Sequence, residues 1–212
     1  MRNEKNERLI ALGFKPKSIV EVILTTRNPD GSINTAPMGV KVIENWLIEI
    51  KPFKTSNTYN NLKERSELCL NISHDPLLFF KTAFKNEFKT VPKLTEKLAL
   101  DEAQACIFCK VIEFNDNSDQ RGLFKVKPIQ FQIIRQTPLV FSRGVAQAIE
   151  AVIHATRVKA YTEQGMLLEA EHLKGKIMEC VEIIRRVSAP DTSEYMVAEK
   201  MLTLIEKWGT KE

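Results

Sequence analysis

The chain has 212 residues, 43 % hydrophobic and 27 % charged, with 8 Gly, 9 Pro and 4 Cys. That composition excludes a collagen-like chain, a disulfide scaffold and a disordered tail, and it predicts a core large enough to need no staple. Lys and Arg total 31 against 27 Asp and Glu, a net charge of +4, spread without the basic stripe expected of a nucleic-acid binder. No nucleic-acid partner is expected. The opening MRNEKNERLIALGFKPK lacks the long apolar core of a signal peptide, and no run approaches the roughly eighteen apolar residues of a membrane span. A cytoplasmic chain without a membrane partner is expected.

Taken in chain order, IVEVILTTR reads as a strand followed by the turn NPDGS, in which Pro restricts one position and Gly admits positive φ. A second strand, INTAPMGVKVIE, follows, with a bend predicted at Pro37 and Gly39 because Pro cannot donate to a ladder and Gly packs no side chain. NWLIEIK then alternates, with Trp46, Ile48 and Ile50 on one face, and pairs back through a turn at Glu44 and Asn45. A polar loop leads to a short helix that Ser56 or Thr55 can cap. Leu68, Leu70 and Ile72 alternate as the next strand. DPLLFFKTAF is helix-like, and a Lys-rich loop separates it from strands over Ala105–Phe114 and Leu123–Ile134, joined by NDNSDQRG. An edge or bulge is expected at Pro128. Six or so antiparallel strands of this length suggest a closed or nearly closed barrel.

The periodicity changes between Thr137 and Gly144, and the rest of the chain has helical spacing. Helices are predicted over Val145–Tyr161, Glu163–Val187 and Thr192–Trp208. In the middle one, Met166, Ala170, Leu173, Ile177, Cys180, Ile184 and Val187 form the seam of an antiparallel pair or coiled coil. Ala198, Met201, Leu202, Ile205 and Trp208 face the same seam. The fold class is therefore mainly β plus α, an antiparallel barrel over residues 1–143 followed by a helical bundle or hairpin over 144–212.

Cys69, Cys106, Cys109 and Cys180 fall in element interiors, where free Cys is a small buried hydrophobe. Cys106 and Cys109 spell C-x-x-C, but on a strand residues three apart face opposite sides. His74, His154 and His172 are too dispersed for a zinc cluster, so no metal is expected. The sequence holds no G-x-S-x-G, P-loop, H-E-x-x-H or G-x-G-x-x-G, which leaves hydrolase and kinase chemistry without support.

Two segments carry ligand chemistry. Lys54, Thr55, Ser56 and Thr58 bring hydroxyls, backbone amides and a positive charge to a helix start, the donors a phosphate needs; the plainer account is helix capping. Ala36, Pro37, Met38, Gly39 and Val40 form a strand whose expected kink would give an aromatic ring an apolar wall and free backbone groups. The plainer account is a bulged strand.

The segments TTRNPDGSINTAPMGVKV, with N-x-A-P-M-G-V, and S-x-T-x-x-N-L, met as Ser56, Thr58, Asn61 and Leu62, resemble the FMN-binding split barrels. That group contains the flavin reductases and pyridoxamine phosphate oxidases. With SRGVAQAIEAVIHATR at the junction, the whole chain is similar to an archaeal family that joins such a barrel to a helical C-terminal domain. The resemblance implies an FMN-binding split barrel, a homodimer, and a flavin-dependent oxidoreductase with a small-molecule electron donor or acceptor. It implies a cofactor site at Thr26, Arg27, Ala36 to Val40, Lys54, Thr55, Ser56, Thr58, Asn61 and Asn71, with Lys41 or Arg27 as the cation for a reduced flavin. The alternative is a non-catalytic protein that holds FMN or another phosphate ligand and binds a partner through its helices.

Arg143, Glu150, His154 and Arg157 fall on related turns of one helix. They form either a surface ion-pair ladder behind a capping Ser142, or a substrate site in which Arg binds an anion and His relays a proton. A weaker third reading places nucleic acid on Phe79, Phe80, Phe84 and Phe88, interleaved with Lys81, Lys85 and Lys89. An amphipathic helix explains that pattern equally well.

Overall fold

The computed structural model describes residues 4–16, 19–87, 98–117, 119–134 and 142–209. They divide into two units, one drawn from 1–73 and 92–136, the other from 74–91 and 137–212.

The first unit contains α1 (Glu4–Ala11), β1 (Ile19–Arg27), β2 (Ile33–Val42), β3 (Ile48–Ile50), α2 (Asn57–Glu64), β4 (Glu67–Ile72), β5 (Ala105–Asn115) and β6 (Leu123–Ile133). Six antiparallel strands close a barrel in the order β1-β2-β3-β6-β5-β4. Alternation decides what lies inside: Val22, Leu24, Val40, Val42, Ile48, Ile50, Leu68, Leu70, Phe124 and Val126 fill the core, and Leu9 and Phe14 near α1 join them. Each such side chain contributes about 1.5–3 kcal/mol when fully buried, well above an exposed ion pair. The barrel therefore stands on its interior.

Several strand expectations are corrected. The β1–β2 ladder is not broken at Pro37 or Gly39, because Ile19–Arg27 pairs with Ile33–Lys41 in unbroken register. The interruption lies on the other edge, where β3 meets only Val40–Val42, and a proline is tolerated on a strand with a neighbour on one side. The β2–β3 turn is wider than a two-residue hairpin. Asn45 and Trp46 both take positive φ, 56° and 57°, and Ile43 donates to the Leu47 carbonyl, so Trp46 lies outside the strand that holds Ile48 and Ile50. The expected bulge is present, with Cys109 opposite Pro128 and Phe108 opposite Gln130. Beyond it Phe131 is buried while Ile129 and Ile133 are exposed. Cys109 lies in the interior core and Cys106 does not, so the C-x-x-C is split between faces.

The second unit contains α3 (Pro76–Ala83), α4 (Arg143–Glu163), α5 (Leu167–Val187) and α6 (Ser193–Gly209). Asp75 caps α3 by accepting from the Leu77 amide at 2.9 Å. α3 packs against α4 and α6, and Phe79 and Phe80 are buried, so neither serves as an aromatic platform for a nucleobase. Phe88 and Lys89 lie outside the described residues. α4 ends where Gly165 takes φ of 75°, and α5 starts at Leu167, later than the spacing predicts. Its seam is as expected over Ala170, Leu173, Ile177, Cys180 and Ile184, whereas Val187 is exposed. In α6 the buried set is Val197, Ala198, Met201 and Leu204, rotated slightly from the predicted face. Among the described residues no helix is long and apolar enough to cross a membrane.

Candidate functional site

Over Ile33–Gly39, β2 has β1 on one side and, among the described residues, no strand on the other. Ala36, Pro37, Met38 and Gly39 are each half-buried, an unusual run in a strand whose next residue, Val40, is buried in the core. An edge of this kind leaves backbone N–H and C=O groups to be paired by something else. Gly39 lies opposite Glu21 on β1, and a Cβ at Gly39 would stand 3.0 Å from Glu21 Oε1 and 3.2 Å from Ile19 Cγ2. The space beside Gly39 is therefore taken by the Glu21 and Ile19 side chains, which a larger residue here would crowd.

The start of β2 is tied to α2 by a buried polar node. Asn34 Nδ2 donates to Thr58 Oγ1 at 3.0 Å and to Thr26 Oγ1 at 3.3 Å. Asn61 Nδ2 donates to Thr26 Oγ1 at 2.9 Å and to Asn28 Oδ1 at 2.8 Å. The polar members of S-x-T-x-x-N thus anchor α2 on the β1–β2 hairpin. Thr26, Thr58 and Asn61 come together with Asn34 as an interior joint in which all four are almost fully buried. Arg27 lies at the hairpin end, with Nη1 donating to the Gly31 carbonyl at 3.1 Å.

Ser56 is the N-cap of α2, accepting from the Tyr59 amide at 3.2 Å and donating to the Phe53 carbonyl at 2.7 Å. The first helical bond to the Ser56 carbonyl comes from Asn60, so the amides of Asn57 and Thr58 precede it and point out of the helix start. Thr55 and Asn57 are exposed there, and Lys54 is half-buried beside them. Lys54 Nζ lies 2.9 Å from Asp116 Oδ1, and the Tyr59 hydroxyl donates to Asp116 Oδ2 at 3.0 Å. The Lys54 hydrogen bond holds the Asp116 carboxyl below the usual carboxylate range, with Tyr59 and Lys63 adding to it. The backbone joins the same two loops through Lys54 N–H to Gln120 O and Gly122 N–H to Pro52 O. The Arg121 guanidinium lies 3.7 Å from the Phe53 ring centroid.

Asn71 is placed elsewhere. Its Nδ2 donates to the Ile23 carbonyl at 2.9 Å and to Thr25 Oγ1 at 3.2 Å, and its Oδ1 accepts from the Leu100 amide at 2.8 Å. The thiols of Cys69 and Cys106 approach the same oxygen. Asn71 is fully buried and holds Leu100 to the barrel wall, while Thr25 donates to the Leu98 carbonyl. Sharing with Cys106 and burial push the Cys69 thiol well up. The four cysteines are free and buried, and among the described residues no group of three His, Cys, Asp or Glu could hold a metal ion.

On α4, Ser142 caps the helix through the Val145 amide at 3.2 Å. Arg143 is exposed and Arg157 half-buried. His154 is only 7 % exposed, with Nε2 3.3 Å from Glu150 Oε1 and Nδ1 buried without a hydrogen-bond partner among the described residues. Burial, with smaller contributions from Arg157 and Lys176, lowers its pKa despite the opposing pull of Glu150 and Glu179. Glu150 and His154 pair one turn apart on α4, with the histidine turned inward.

Sequence reasoning missed Asn34, Asp116 and Gly122. Asn34 opens N-x-A-P-M-G-V and was legible there; Asp116 and Gly122 lie in or beside a polar turn with no local signal. A Cβ at Gly122 would fall 2.5 Å from the Tyr59 ring, so this glycine exists for the aromatic side chain beside it.

Among solved structures, the chain is similar to an FMN-bound protein from Methanosarcina mazei that carries the same family assignment as this chain, at 24 % identity and TM-score 0.65, covering 92 % of this chain and 98 % of that one. It is also similar to a flavin reductase domain protein from Arthrobacter sp. FB24, at 12 % identity and TM-score 0.47, covering 64 % and 99 %. A third is the flavin reductase HpaC complexed with NADP+, at 18 % identity and TM-score 0.48, covering 64 % and 92 %. No curated protein matches. The first likeness establishes the fold, a split barrel with C-terminal helices. The family model described as "Protein of unknown function (DUF447) N-terminal domain" matches residues 20–135, and the chain belongs to that family.

Proposed function

We propose that this chain binds FMN on its split barrel and acts, as a homodimer, as a flavin-dependent oxidoreductase of the flavin-reductase kind with a small-molecule electron donor or acceptor. The observation that carries the reading is the Asn34–Thr58 hydrogen bond, which ties the open edge of β2 to the start of α2. An open strand edge offers alternating N–H and C=O groups suited to the carbonyl edge of an isoalloxazine ring. A helix start with outward amides and a nearby cation suits the phosphate tail. These two sets of donors support an FMN site in two halves. The FMN-bound relative of the same family supports the choice of flavin.

In this reading the backbone of Ala36, Pro37, Met38, Gly39 and Val40 lines the ring. Lys54, Thr55 and Ser56, with the amides of Asn57 and Thr58, receive the phosphate. Thr26, Asn61 and the side chain of Thr58 position the two halves, whereas Asn71 acts on the barrel wall away from them. Lys41 lies two residues from Gly39 on the same face of β2 and is the cation nearest in sequence to the open edge; Arg27 is engaged at the hairpin turn. FMN, when bound, supplies the hydride and electron chemistry, while the protein fixes its orientation and charge environment.

The test is anaerobic addition of NADH or NADPH to FMN-loaded protein. Bleaching of the flavin absorbance with either is the expected result. Bound flavin that neither nucleotide bleaches would reduce the protein to an FMN-binding module or assign it a different donor.

A further inference from the structure

Asp116 follows β5, and its carboxylate is held by two donors from the stretch that enters α2: Lys54 Nζ at 2.9 Å on Oδ1 and the Tyr59 hydroxyl at 3.0 Å on Oδ2. Lys54 Nζ also reaches the Asp116 carbonyl at 3.2 Å. These donors are preorganised. The Tyr59 ring is packed edge-on to Phe114 and Phe124 and has Gly122 against its face, which fixes the hydroxyl. The Lys54 backbone is held by Gln120. A lysine and a phenol converging on two oxygens form a receptor for an anion, and here the protein's own carboxylate fills it.

We infer that Asp116 is an internal stand-in for a ligand phosphate, holding Lys54 and Tyr59 in the ligand-free protein and giving them up by exchange when a phosphate binds at the start of α2. The inference rests on the phosphate placement proposed above. The exchange costs little because the pair is partly exposed on both sides, where ion pairs are weak. A phosphate carries more charge and more acceptor oxygens than the carboxylate it displaces. Lys63, over the Tyr59 ring at 5.2 Å, adds positive potential. The device weakens phosphorylated ligands and leaves neutral ones untouched, since only the former must displace the carboxylate.

The test compares FMN with riboflavin, which lacks the phosphate, in wild type, Asp116→Asn and Asp116→Ala. Removing the internal anion is expected to tighten FMN by about 3- to 10-fold, the scale of a weak ion pair, and to leave riboflavin unchanged. FMN affinity that is unchanged or weaker in both variants would overturn the exchange. Independently of any variant, inorganic phosphate at millimolar concentration should shift the NMR signals of the Tyr59 ring and the Lys54 ammonium in wild type; signals that do not move would also overturn it. A wild type that binds no FMN would sink the flavin reading alone, because the phosphate titration still decides the exchange.

Discussion

The side-chain amide of Asn34 donates to the hydroxyl of Thr58 across 3.0 Å, with 5 % and 1 % of the two residues exposed. One bond thus joins a strand and a helix far apart in sequence, and with them the two halves of the proposed site. Thr58→Val keeps the shape and removes the oxygen, leaving a buried amide short of a partner. The expected loss in urea denaturation is about 1–3 kcal/mol, the cost of an unsatisfied buried donor, accompanied by weaker FMN binding. Thr55→Val, at an exposed position, should change stability by no more than about 0.5 kcal/mol. Equal effects at the two positions would remove the joint.

Gly122→Ala places a methyl group 2.5 Å from the Tyr59 ring. Overpacking of this kind costs about 1–3 kcal/mol. In the Tyr59→Ala background the same substitution should cost far less, so a double-mutant cycle by thermal denaturation reads the clash directly. Additive effects would show that the ring moves aside freely.

Acid should destabilise the helical unit through His154. Its pKa in the folded chain is lowered from the ordinary 6.5, chiefly by burial, so the unfolded chain binds the proton more readily. Stability is therefore complete above the ordinary value and declines as pH falls from there to the folded value. His154→Gln should flatten that part of the stability–pH curve. Asp116 and Asp30 have lowered pKa values as well, but they lose their contribution in the carboxylate range, at lower pH. A curve equally steep with and without His154 would contradict the assignment.

Asn71→Ala should cost more stability than Ser56→Ala. It strands the Leu100 amide in a fully buried place, for about 1–3 kcal/mol, and adds a cavity, while the Thr25 hydroxyl keeps its bonds to the Leu98 and Cys69 carbonyls; Ser56→Ala loses one cap of about 1 kcal/mol. Chemical denaturation of the two variants checks the order.

The barrel was legible because alternation sorts Val22, Leu24, Leu68, Leu70, Phe124 and Val126 to one side of their strands, and two helices because Ser56 and Ser142 announce them as caps. The unbroken register through Pro37 was not, since a proline reads as a break until the absence of a second neighbour is known. The role of Thr58 was hidden for a similar reason: a hydroxyl at a helix start serves a ligand or a neighbouring strand equally well in sequence, and only the position of Asn34 decides. Asp116 lies in a turn whose composition says nothing beyond solvation, and its partners, Lys54 and Tyr59, are distant in the chain. The inward turn of His154 follows from the burial of Ala151 through Ala155, more than one amphipathic face would hide.

The visible absorption spectrum of the purified protein, before and after titration with FMN, tests the central claim most directly. The account predicts a flavin spectrum, in the protein as purified or on adding FMN, with saturable binding and release of FMN on denaturation. A colourless protein that leaves the spectrum of added FMN unperturbed would contradict it, leaving a split barrel that shares the fold of the flavoproteins without their ligand.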